Sequence, residues 1–82
     1  MEGYFSLGQY LLHDNKKKKA LQAFKKAYEL QPDPNISVEI GKIYLLLQDQ
    51  IRAKKNILQA LKLDPNHKNA KEILWRYIKN RQ

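Results

Sequence analysis

Apolar residues fall along this chain in short helical stripes, each cut off by a polar or proline-containing break. Tyr4, Leu7, Tyr10 and Leu11 recur at helical spacing up to Leu12, and His13-Asp14-Asn15 then turns the chain. The next stripe is Ala20, Leu21, Phe24, Ala27 and Tyr28, extended by Leu30. Pro32 stops it, because proline disfavours helical geometry at the residue before it. Asp33 reads as an N-cap with Pro34 at the first helical position. A third helix, from about Asn35 to Leu47, turns Ile36, Ile40, Ile43, Tyr44 and Leu47 inward, and Gln48-Asp49-Gln50 is its turn. The fourth spans about Ile51 to Leu63 and uses Ala53, Ile57, Ala60 and Leu61. Asp64-Pro65-Asn66 repeats the earlier break, with Asn66 as the next cap. Ala70, Ile73, Leu74, Tyr77 and Ile78 complete an i, i+3, i+4, i+7, i+8 stripe on a fifth helix. No segment alternates with period two, so the pattern predicts an all-α array of five short antiparallel helices.

The stripes repeat. Leu7, Gly8, Leu12, Ala20, Ala27, Leu30 and Pro32 are answered at a step of 33 residues by Ile40, Gly41, Leu45, Ala53, Ala60, Leu63 and Pro65. Phe24 is answered in size and apolarity by Ile57. Small residues at fixed places are a packing requirement: Gly8 and Gly41 let a first helix approach its partner, with Ala20 and Ala53 expected as the facing small residues. A period in this range marks a supersecondary unit stacked on copies of itself.

These residues resemble the tetratricopeptide repeat, whose pattern is W-x2-L-G-x2-Y, then A, A-x3-F and P. Tyr4, Leu7-Gly8, Ala20, Phe24, Ala27 and Pro32 match it in the first copy, and Ile40-Gly41, Tyr44, Ala53, Ile57, Ala60 and Pro65 in the second. Leu11 replaces the family's tyrosine and Ser37 its first aromatic, which puts local packing in question. The resemblance covers the whole chain as one domain, residues 1–82. It divides into a first repeat at 1–33, a second at 34–66 and a capping helix at 67–82. The related RNA-reading pentatricopeptide repeats fit the Gly8/Ala20/Ala27/Pro32 set less well.

The resemblance implies a non-enzymatic scaffold that binds a protein or peptide partner on a concave face lined by the first helix of each repeat. Carried onto this sequence, that face centres on Phe5, Gln9, Leu12, Val38, Lys42, Leu45, Glu72 and Arg76, with Glu2, His13, Asn35, Leu46 and Lys79 beside them. The clamp with which chaperone-binding members hold a terminal carboxylate is absent, since its places read Phe5, Gln9, Glu39, Asn69 and Ile73. Apolar anchors on this face suit an extended or helical peptide.

Charge adds a second possibility. The 82 residues carry a net charge of +8, which favours anionic partners. Lys16, Lys17, Lys18 and Lys19 stand at the start of the second helix, where the macrodipole disfavours cations. With Lys25, Lys26 and Lys55 they form a basic patch expected on the convex side, the alternative site for nucleic acid or an anionic membrane.

The remaining chemistry is sparse. There is no cysteine, so no disulfide, thiolate metal site or thiol nucleophile, and a reducing, cytoplasmic location is the expectation. His13 and His67 stand far apart at helix ends, which fits capping and no metal site. No nucleophile, base and orienting group converge, and no glycine-rich phosphate loop implies a cofactor. Leu74 or Trp75 occupies the place of the repeat glycine in the last helix, so the array is expected to end there, with Trp75 either covering its edge or standing partly exposed with no role. At the other end Met1 has no polar cap before it, and the expectation is either a fragment of a longer array or self-association through the first helix.

Overall fold

The computed structural model describes residues 3–79, with side chains as far as Tyr77. Met1, Glu2 and the side chains of Ile78 and Lys79 therefore lie outside the described residues. Helices α1 (Gly3–His13), α2 (Lys17–Leu30), α3 (Pro34–Leu46) and α4 (Gln50–Leu63) form two hairpins. The shorter α5 (Lys68–Ile73) follows and continues as a π-helical stretch, Leu74–Lys79. Each hairpin packs internally, α2 joins it to the next by lying on α3, and α4 supports α5. The stack is a slab of 36 × 24 × 16 Å.

Its turns are built alike. Asn15 and Gln48, one repeat apart, both adopt a left-handed backbone, with φ of 63° and 66°. In each turn the next amide reaches back five residues: Lys16 N–H donates to the Leu11 carbonyl and Asp49 N–H to that of Tyr44, both at 2.8 Å. These bonds satisfy carbonyls that the helix ends leave open. Asp33 caps α3 by accepting from the Asn35 amide at 2.7 Å, with Pro34 at the first helical position. Asp49 caps α4, accepting from the Arg52 amide at 3.1 Å and its guanidinium at 2.6 Å. Lys16 at the start of α2 makes no side-chain cap, so the lysine run begins an unsupported helix end.

The fifth helix departs from the expected cap. His67, not Asn66, precedes it, and His67 Nδ1 accepts from the Ala70 amide at 3.2 Å. A ring whose Nδ1 accepts carries its proton on Nε2, which donates to Asn35 Oδ1 at 2.7 Å. One imidazole thus caps α5 and ties it to the first turn of α3.

Two clusters make the core. Phe24, Ala20, Ala27, Ile36, Ile40, Ile43, Tyr44 and Ala53 fill the first. Val38, Ile57, Ala60 and Ala70 form the second, with Leu61, Ile73 and Leu74 packed on it. The repeat glycines stand where expected, but what faces them differs. A Cβ on Gly8 would meet the Phe24 ring at 2.9 Å, and one on Gly41 would meet Ile57 Cδ1 at 2.7 Å. Large side chains lying across the glycines, more than the alanines Ala20 and Ala53, require the missing Cβ.

Helix α1 also turns differently from its expected stripe. Phe5, Gly8, Leu11 and Leu12 face the core, while Tyr4, Leu7 and Tyr10 are exposed. Leu30 and Tyr77 are exposed too, and Trp75 is 66% exposed. Past Leu74 the wider π-helical turn carries later side chains off the α-helical stripe. Pro32 and Pro65 lie at the surface, as helix stops do. Among the described residues, no helix is long and apolar enough to cross a membrane.

Candidate functional site

Helices α3 and α5 both rest on α4 but make little contact with each other. The gap is a cleft of about 610 Å³. Its apolar lining is Leu45 and Leu46 from α3, and Ile73 and Tyr77 from the last helix. Lys42, Glu72, Arg76 and Asn69 stand around them, and Gln48 and Gln50 close the end at the α3–α4 turn. The charges here are mutually compensated: Lys42 pairs with Glu39 at 3.5 Å and Arg76 with Glu72 at 3.3 Å. Such a wall offers apolar contact flanked by groups of both signs, a composition suited to a peptide or helix surface.

Four of the eight residues at the centre of the expected concave face meet in this cleft, Lys42, Leu45, Glu72 and Arg76, and Leu46 joins them. The other four do not. Val38 is 3% exposed within the second core cluster, packed with Ile57 and Ala60 of α4 and Ala70 of α5. Phe5 points inward and meets Phe24 edge to face, centroids 5.5 Å apart, so it serves the core. Leu12 is half-buried against the same cluster, and Gln9 is exposed outside the cleft. Tyr77, expected on the buried stripe, joins the cleft as well. Leu46 lies off the buried face of α3, and Tyr77 leaves the buried stripe only because the helix widens.

The basic residues lie outside the cleft and are unequal. Lys16 pairs with Asp14 at 3.4 Å and Lys26 with Glu29 at 3.8 Å. The exposed Lys25 ammonium sits 5.9 Å from the Tyr44 ring of α3. Lys17 is half-buried, while Lys18, Lys19 and Lys55 are exposed. Among the described residues, no group of three or more His, Cys, Asp or Glu side chains could hold a metal ion.

Two further contacts cross between helices. The buried Ser37 hydroxyl donates to the Asn56 carbonyl at 2.8 Å, joining α3 to α4. Gln59 donates to the Tyr28 hydroxyl at 3.2 Å, joining α4 to α2. The first bond holds the α3–α4 hairpin together, and the second ties that hairpin to the one before it.

Residues 1–34 match a family model described as tetratricopeptide repeat, and residues 35–67 match a second with the same description. No curated protein matches the chain.

Proposed function

The chain belongs to the tetratricopeptide repeat family, and from that premise we propose that it binds a partner's peptide or helix in the cleft between α3 and α5. Tetratricopeptide repeats are in general protein–protein interaction modules and non-enzymatic scaffolds. One observation carries the finer reading: Leu46 and Tyr77 are exposed apolar side chains on facing walls of one cleft, with no role in the core. A segment with apolar side chains on one face would cover both. Its polar flank would lie along Lys42 and the Glu72–Arg76 pair.

Selection from a displayed random-peptide library tests this. Enriched peptides should carry spaced apolar anchors and perturb the amide resonances of Leu45, Leu46, Ile73 and Tyr77. Leu46→Asp should weaken them about tenfold or more while leaving the helical spectrum intact. Binding should change little between about 50 and 200 mM salt, where phosphate-driven binding falls steeply. Polyacidic peptides, salt-sensitive and dependent on Lys18 and Lys19, would overturn the cleft in favour of the basic patch.

A further inference from the structure

The two repeats bury the same face of their first helices very unequally. On α3 that face is Ser37, Ile40 and Ile43, all buried: Ile40 and Ile43 share a core cluster with Ala20, Phe24 and Ala27 of α2, and Ser37 bonds to α4. On α1 the corresponding residues, one repeat earlier, are Tyr4, Leu7 and Tyr10. Ile40 is 3% exposed and Leu7 44%; Ile43 is 0% exposed and Tyr10 65%. The α1 face thus has the chemistry of a buried helix surface with nothing among the described residues laid over it.

We propose that this face joins two copies of the chain in a two-fold dimer, antiparallel across α1, with Leu7 on the axis. The spacing supports a second copy as the occupant. Tyr4 and Tyr10 stand three residues either side of Leu7, so a two-fold axis through Leu7 sets it against itself and each Tyr4 against the second copy's Tyr10. The phenol hydroxyls stay at the rim, where water reaches them. Charge selects the same helix. The chain carries +8 overall, so two copies repel across most of their surface, yet α1 contains no Asp, Glu, Lys or Arg. Two copies meet along α1 without opposing like charges. One helix face per copy is less than the roughly 1,000 Å² of a durable interface, so the dimer is weak and concentration-dependent.

Sedimentation of the full chain between about 10 and 500 micromolar tests it, the range suited to a small interface. The mass should rise from 9.7 kDa towards twice that value. Leu7→Glu should weaken association more than about tenfold, by setting like charges against each other on the axis. Tyr10→Lys, at a still more exposed position, should do the same and covers the case in which the first variant misfolds. Leu46→Glu, in the cleft, should associate as wild type does. Mixing Leu7→Glu with Leu7→Lys should restore the dimer, because only a two-fold contact sets position 7 against position 7. A wild-type chain at 9.7 kDa throughout would overturn the dimer. A dimer that survives both α1 changes, or is lost with Leu46→Glu alone, would place the contact elsewhere. Failure of the mixture to associate would overturn the axis through Leu7.

Discussion

Ile57 Cδ1 lies over Gly41 so closely that a Cβ there would sit 2.7 Å away, with the Ala53 carbonyl oxygen at 3.3 Å behind it. One repeat earlier the Phe24 ring holds the same relation to Gly8, at 2.9 Å. The glycines therefore set the hairpin spacing through a side chain of the second helix, and they do so in both copies.

Gly41→Leu should destabilise the domain by about 3 kcal/mol, and far more than Gly3→Leu at the exposed start of α1, because overpacking acts only at the crossing. Gly41→Ala should cost less, since alanine's helix propensity offsets about 1 kcal/mol. Its cost should shrink by about 1 kcal/mol in an Ile57→Val background, which removes Cδ1. Urea titrations of the four chains give the coupling. An unchanged cost in the valine background would mean that this contact is not the cause.

Ser37 stands where the family has an aromatic residue, and it is buried with its hydroxyl on the Asn56 carbonyl at 2.8 Å. Ser37→Ala should cost about 1 kcal/mol, the usual net value of such a bond. Ser37→Trp, although closer to the family pattern, should cost more by overfilling the α3–α4 interface. Tyr4→Trp at the exposed counterpart should stay within about 0.5 kcal/mol. Equal thermal melts for the two tryptophan variants would contradict this.

Gln48 pays a conformational cost in its left-handed turn, with φ of 66°. Gln48→Gly should raise stability by about 0.5–1 kcal/mol, since glycine avoids the Cβ strain but is freer when unfolded. Asn15→Gly should gain less, because asparagine tolerates that backbone better. A lower melting temperature for Gln48→Gly would count against the strain.

The Asp49 carboxyl is held below the ordinary value of 3.8 by the Arg52 amide first and the Arg52 guanidinium second. A depressed folded value means that the charged cap stabilises α4 fully above 3.8 and loses that effect as pH falls through the lower folded value. Asn is an equally good neutral cap, so Asp49→Asn isolates the charge. The melting temperature of wild type should exceed that of Asp49→Asn at neutral pH, and the gap should close as the pH falls below 3.8 and through the lower folded value. A gap that persists in acid would assign the difference to packing.

The sequence by itself determined the helices, their turns and the repeat register, because caps, proline stops and small residues act over a few neighbouring positions. Asp33 before Pro34 and the glycine–alanine set were sufficient for that. It did not determine which side of α1 faces inward. Apolar residues lie almost all round that helix, from Tyr4 and Phe5 to Leu11 and Leu12, so periodicity had no single face to select. Only the stacking decided that Phe5 meets Phe24, that Tyr10 faces outward and that Val38 disappears beneath α5. The cleft has the same origin. Leu46 and Tyr77 lie 31 residues apart in the chain and face one another because α4 holds both of their helices while keeping those helices separate. Burial is a property of neighbours, and a residue's neighbours across helices are set by the packing of the whole array.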